Sequence, residues 1–175
     1  TGAGKSICYQ VPALMFDGIT IVVSPLISLM KDQVSALVQS GVAAAYINSS
    51  LTHAQYLKVL QNTESGKYKI IYVAPERLCA PAFLGICRNL NISMVAVDEA
   101  HCVSQWGQDF RPSYLKIPDF IDALNSRPVV GAFTATATGA VRDDIKTLLR
   151  LVSPLVVTTG FDRPNLFFSV MQPKN

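Results

Sequence analysis

Histidine and cysteine are scarce in this sequence: two histidines, His53 and His101, and four cysteines, Cys8, Cys79, Cys87 and Cys102, in 175 residues. No two cysteines stand at C-x-x-C spacing, and no histidine lies where a zinc finger needs one. Neither a zinc site nor a disulfide is expected, and the thiols are read as free. Long apolar runs are also absent; none approaches the roughly 18 to 20 residues that cross a bilayer, and no signal-peptide pattern opens the chain. A soluble, intracellular protein with no membrane partner is the expectation. Charge of one sign is missing too, since the net charge of +3 barely favours nucleic acid as a ligand. No repeat, low-complexity tract or long linker interrupts the chain, so no internal boundary is inferred.

What the sequence does hold is apolar residues, half of the total, in a length suited to one domain that buries most of its apolar surface. Ile19–Val23, Ala43–Ile47, Tyr68–Val73, Ile92–Val97 and Val129–Phe133 are β-rich runs that read as strands, and Leu155–Val157 as a last short one. Between them lie helical patterns. Ile7 to Met15 has helical promise. Ser24-Pro25 opens a helix in which Leu26, Leu29, Met30, Val34, Leu37 and Val38 form a core stripe ending at Gly41. Thr52-His53-Ala54-Gln55 fits a capping box for a helix through Leu60, with His53 solvated in its first turn. Thr138 can cap a helix carrying Val141, Ile145, Leu148 and Leu149 at core spacing. Alternation of strands and helices implies βαβ units and a mostly parallel sheet.

In such folds ligands bind beyond the carboxyl ends of the strands. Four segments fall there: Thr1 to Ser6, Ser24-Pro25, Asp98-Glu99 and Thr134 to Thr136. Thr1-Gly2-Ala3-Gly4-Lys5-Ser6 matches the G-K-[ST] end of a phosphate-binding loop, whose first glycine and preceding strand would lie before Thr1. Lys5 would reach the β- and γ-phosphates of a nucleotide and Ser6 would hold Mg²⁺. Asp98 would hold the metal, directly or through water, and Glu99 would orient or deprotonate the attacking water. Arg77, at a strand end, suits either a phosphate contact or an ion pair with a neighbouring acid. The stretch Cys102 to Tyr114 breaks periodicity and holds the only tryptophan, Trp106. Aromatics and arginine there suit base stacking, although composition alone leans towards a loop pinned by a buried tryptophan.

These residues together resemble the first RecA-like motor domain of a RecQ-family DNA helicase, within the class that carries a D-E-A-H box. The likeness rests on Thr1–Ser6 as motif I, Ser24-Pro25-Leu26-Ile27-Ser28-Leu29 as motif Ia and Ala74-Pro75-Glu76-Arg77-Leu78 as motif Ib. Asp98-Glu99-Ala100-His101 is motif II, and Phe133-Thr134-Ala135-Thr136-Ala137-Thr138 is motif III. Ser104-Gln105-Trp106-Gly107-Gln108-Asp109-Phe110-Arg111 is similar to the aromatic-rich loop of that family, and Arg163-Pro164-Asn165-Leu166 to its segment leading towards a second motor domain.

The resemblance implies a three-layer α/β/α fold of the P-loop NTPase kind over residues 1–160, with 161–175 as an exit segment. It implies ATP held by Gly2, Ala3, Gly4, Lys5 and Ser6, with Mg²⁺ on Ser6 and Asp98. Turnover is assigned to Glu99, Lys5 and Asp98, with His101 and Gln105 coupling nucleotide to loop. Ser24, Pro25, Arg77, Trp106, Phe110 and Arg111 are assigned to single-stranded or partly duplex DNA, and Thr134 and Thr136 to linking hydrolysis with domain motion. Two departures stand out: Ala3 replaces a common glycine, which a small side chain tolerates at negative φ, and Gln108 stands where the family has histidine. An adenine-recognising motif before Thr1, and a second motor domain with its arginine finger, a zinc-binding segment and a winged helix after Asn175, are implied as well. The chain alone is therefore expected to be inactive or very weak, in a bacterial cytoplasm at the nucleoid or in a nucleus. An RNA-directed ATPase of the same class and a non-catalytic nucleic-acid-binding module are the rival readings.

Overall fold

The computed structural model describes residues 4–158, 167 and 169. Five β-branched or small-residue segments form one parallel sheet: β1 (Ile19–Val23), β2 (Ala44–Ile47), β3 (Ile70–Val73), β4 (Ile92–Val97) and β5 (Val129–Ala132), in the order β2-β3-β1-β4-β5. The central strands bury both faces, every residue of β1 and β3 being buried, as parallel sheets covered on both sides require. Alternate residues therefore feed two cores. Val22, Tyr72, Met94 and Ala96 pack against Tyr9, Met30, Val34 and Leu37 of α1 (Lys5–Met15) and α2 (Ile27–Gln39). Ile21, Val23, Val73, Val95 and Val97 pack on the other face against α3 (His53–Glu64), α4 (Pro81–Arg88), α5 (Ile117–Asp122) and α6 (Gly139–Leu148) through Leu60, Phe83, Phe120, Val141 and Ile145. This is the expected three-layer arrangement.

The chain leaves β1 for α2 on one face and leaves β4 for the other face, so the two central strands diverge at their carboxyl ends. A crevice opens at such a point. Main-chain bonds carry the sheet one residue past its strands there: Asp98 N–H donates to Val23 O at 2.9 Å, Phe133 N–H to Val97 O at 2.9 Å, and Ala100 N–H to Phe133 O at 2.9 Å. The segments after β1, β4 and β5 are thus locked to one another where the sequence places its polar motifs.

Several expectations change. Leu155–Val157 is not a strand: its residues lie outside regular structure, and Leu155 and Val157 are 90% and 79% exposed. A β-prone tripeptide pairs only where a sheet edge is offered to it. The helix after β1 starts at Ile27 rather than at Ser24-Pro25, and its outer stripe residues Leu26 and Val38 are exposed, leaving Met30, Val34 and Leu37 as core. The capping box is present, with Thr52 Oγ1 accepting from Gln55 N–H and Gln55 Oε1 accepting from Thr52 N–H, but its helix continues to Glu64. His53 is exposed.

Candidate active site

Gly4 caps α1 in the left-handed region, φ 69°, a conformation that glycine adopts without penalty. Lys5 and Ser6 follow in the first turn, where unpaired amides of a helix N-terminus face outward. Thr1, Gly2 and Ala3 lie outside the described residues, as do Arg163-Pro164-Asn165-Leu166 and most of 161–175. Opposite α1, β4 ends at Val97 and the chain turns at once, because Glu99 adopts φ 46° and ψ 46°. A non-glycine residue in that region costs about 1–3 kcal/mol and is held only where its surroundings over-determine it.

The holding contacts are specific. Glu99 Oε1 lies 3.1 Å from Lys5 Nζ, and Glu99 Oε2 lies 3.3 Å from His101 Nδ1. His101 Nδ1 is also 2.8 Å from Thr134 Oγ1, whose own hydroxyl donates to Thr136 O at 3.0 Å. Since Thr134 gives its proton to Thr136, its oxygen accepts from His101, which puts a hydrogen on Nδ1. One continuous chain, Lys5–Glu99–His101–Thr134–Thr136, therefore joins motif I, motif II and motif III.

Asp98 is built differently. It is 5% exposed, its Oδ1 accepts the Glu99 amide at 3.0 Å, and its own carbonyl accepts the Tyr114 hydroxyl at 2.9 Å. Burial raises its carboxyl above the ordinary value, with the neighbouring Glu99 charge adding to the rise, while the Glu99 amide bond and Lys5 act in the other direction. No cationic side chain pairs with it within 4 Å among the described residues. Ser6 is half-buried in the first turn of α1. A buried carboxylate with no ion-pair partner within 4 Å among the described residues is a donor that suits a hard divalent cation.

The aromatic-rich loop starts from this chain and returns to it. Ser104 is fully buried and Tyr114 is fully buried, whereas Trp106 between them is 79% exposed. The tryptophan is therefore not the pin that composition favoured. The tyrosine and serine are. Arg111 is held by Asp109, at 2.9 and 2.7 Å to Oδ2, and donates to Pro25 O at 3.3 Å, which ties the loop to motif Ia. Phe110 is half-buried, and Gln105 and Gln108 are exposed. Trp106, Gly107 and Gln108 face Thr136, Ala137 and Thr138 across a cleft of about 260 Å³ that His101 also lines.

Two further expected residues fall outside this cluster of contacts. Arg77 sits over the Tyr56 ring, 6.0 Å from its centroid, and makes no ion pair among the described residues, so a cation–π contact replaces the acid partner. Ser24 is 1% exposed, and its hydroxyl is buried without a hydrogen-bond partner among the described residues. Tyr114 has a place at the site that the sequence did not disclose. Its only signal was an aromatic residue closing an irregular loop.

The DEAD/DEAH box helicase family model matches residues 1–145. The chain is 52% identical over its whole length to the ATP-dependent DNA helicase RecQ of Bacillus subtilis, of which it covers 30%. It is 44% identical over 97% of its length to the bifunctional 3'-5' exonuclease/ATP-dependent helicase WRN of Mus musculus, covering 12% of that protein. Among solved structures, a DUF1998 helicase MrfA bound to DNA and AMPPNP superposes with a TM-score of 0.67 at 18% identity, over 86% of this chain and 22% of the other. A hypothetical ATP-dependent RNA helicase from Sulfolobus tokodaii superposes with a TM-score of 0.65 at 21% identity, over 86% and 44%. These two share the fold. The chain spans between 12% and 34% of the lengths of these curated relatives. It belongs to the DEAD/DEAH box helicase family, on its RecQ branch.

Proposed function

We propose that residues 1–160 are the first motor domain of an ATP-dependent 3′-to-5′ DNA helicase, with 161–175 leading towards a second motor domain of the same parent chain. The observation that carries this reading is the unbroken chain Lys5–Glu99–His101–Thr134, which joins a phosphate-binding lysine, a candidate base and motif III. Gly2, Ala3 and Gly4 supply loop amides to the nucleotide phosphates, Lys5 neutralises their charge, and Ser6 and Asp98 hold Mg²⁺. The cation supplies charge stabilisation on the phosphoryl oxygens.

Both oxygens of Glu99 are engaged, Oε1 by Lys5 and Oε2 by His101. Transfer of Lys5 to a phosphate frees Oε1. That oxygen then takes the proton of a water whose oxygen attacks the γ-phosphorus, ADP leaving with the bridging oxygen. His101 keeps Oε2 in place and reports the change to Thr134, while Gln105 and the loop residues Trp106, Phe110 and Arg111 bring the DNA signal. At motif Ia the strand meets Pro25 and the residues after it rather than the Ser24 hydroxyl, and at motif Ib it meets Arg77, pre-oriented on Tyr56. The preference for DNA over RNA is supported by the chain's 52% and 46% identity to proteins named ATP-dependent DNA helicases. The test is ATP hydrolysis by the full-length parent with single-stranded DNA and with RNA of matched length. Stronger stimulation by DNA is expected. Equal or greater stimulation by RNA favours the RNA-directed reading, and no hydrolysis under any condition favours a non-catalytic module.

A further inference from the structure

One half-buried carboxylate outside the chain described above reaches into the aromatic-rich loop. Asp144 lies on α6, the helix that Thr134–Thr138 runs into, beside the core residues Val141 and Ile145. Its neighbour Asp143 is exposed and pairs with Lys146 on the helix surface. Asp144 faces inward instead, and its Oδ2 accepts the Ser104 hydroxyl at 2.6 Å. The Ser104 oxygen in turn accepts the Trp106 amide at 3.1 Å. With its proton committed to Asp144, Ser104 can offer only lone pairs to that amide.

We infer that Asp144 is a positioning residue for DNA sensing: through Ser104 it fixes the first turn of the aromatic-rich loop, and with it the place at which Trp106 is presented. This rests on the proposed DNA-stimulated ATPase and names the contact by which that stimulation is set. The turn has no slack. Gly107 passes so close that a Cβ there would come within 2.3 Å of His101 O and 3.1 Å of Ser104 O, and Gly107 N–H donates to Ser104 O at 3.0 Å. His101 at the start of the same turn is held by Glu99 and Thr134. Trp106 is therefore placed by two fixed points, the histidine on the nucleotide side and the Ser104–Asp144 bond on the α6 side. Because α6 follows directly from Thr136 and Thr138, a shift of motif III carries Asp144 with it and re-aims the exposed indole.

The test uses the full-length parent and the variants Asp144→Ala, Asp144→Asn, Ser104→Ala and Ser104→Ala/Asp144→Ala. It reads ATP turnover with and without single-stranded DNA, and amide hydrogen exchange over Gln105–Gly107 without DNA. In Asp144→Ala, exchange rises and DNA-stimulated turnover falls about tenfold, while DNA-independent turnover stays within about twofold. Asp144→Asn, which keeps an acceptor oxygen, retains most of the stimulation. Ser104→Ala matches Asp144→Ala, and the double variant is no worse than either. Unchanged exchange in Asp144→Ala overturns the positioning role. An equal fall in both rates shows a merely structural role, and Asp144→Asn as impaired as Asp144→Ala excludes the hydrogen bond as the device. If DNA fails to stimulate the unmodified parent, the DNA-dependent reading falls, and the exchange comparison still decides whether Asp144 holds the loop.

Discussion

Lys5 Nζ and Glu99 Oε1 stand 3.1 Å apart, with the two side chains 21% and 18% exposed. The cation assigned to phosphate and the base assigned to water thus occupy each other. Binding must exchange one ion pair for another, so the contact opposes binding and, once broken, arms the base.

It follows that Glu99→Gln tightens nucleotide binding, because Lys5 loses a charged competitor. For a partly exposed pair the gain is about threefold in Kd. Calorimetric titration of the full-length protein with a non-hydrolysable ATP analogue and Mg²⁺ reads it directly. Unchanged or weaker affinity shows that the pair does not compete with the phosphate.

Asp98 ties stability to pH. Its folded carboxyl is raised above the ordinary value, chiefly by burial. A raised folded pKa means that the folded state holds the proton more firmly than the unfolded chain, so this contribution to stability is present at low pH and is lost as pH rises through the folded pKa. Asp98→Asn, which removes the buried charge, therefore raises the Tm of the nucleotide-free protein, and the gap over the unmodified chain widens from acidic towards neutral pH. The same variant loses the gain in Tm that Mg²⁺ and nucleotide together confer. A gap that narrows with rising pH contradicts the account.

Tyr114 holds the main chain of Asp98 from the far end of the aromatic-rich loop, through a buried 2.9 Å bond. Its phenol is itself raised by burial, so the hydroxyl stays a donor throughout the working range. Tyr114→Phe keeps the ring packing and removes the bond, costing about 1 kcal/mol of stability. Turnover falls as well, because the carbonyl beside the carboxylate assigned to Mg²⁺ loses its restraint. Denaturant unfolding and the ATPase rate check the two effects. A variant with unaltered stability and rate would show the bond to be incidental.

The sheet was readable because burial on both faces leaves an unmistakable composition. Ile19–Val23 and Val95–Val97 are unbroken β-prone runs, and both are central strands. The polar residues at their ends, Asp98 and Glu99, were legible for the same reason, since nothing but a strand end could bring them out of that run. What escaped was shorter or depended on neighbours. Pro81–Arg88 and Ile117–Asp122 form helices of 8 and 6 residues, too brief for periodicity to separate from loop. Exposure was the other blind spot. Ser24 and Trp106 have their burial decided by what packs over them, and the polar serine is inside while the indole is outside. Asp144 gave no local signal and Tyr114 little, because their partners, Ser104 and Asp98, lie 40 and 16 residues away in the chain.

The central claim is that Glu99 is the base which Lys5 releases and His101 holds. Steady-state ATP hydrolysis by the full-length protein in saturating single-stranded DNA, compared between the unmodified protein and Glu99→Gln, tests it most directly. The account predicts that the variant binds Mg-nucleotide and DNA yet turns over at least about 10²-fold more slowly, the scale of a lost general base. Turnover within a few-fold of the unmodified protein would contradict it.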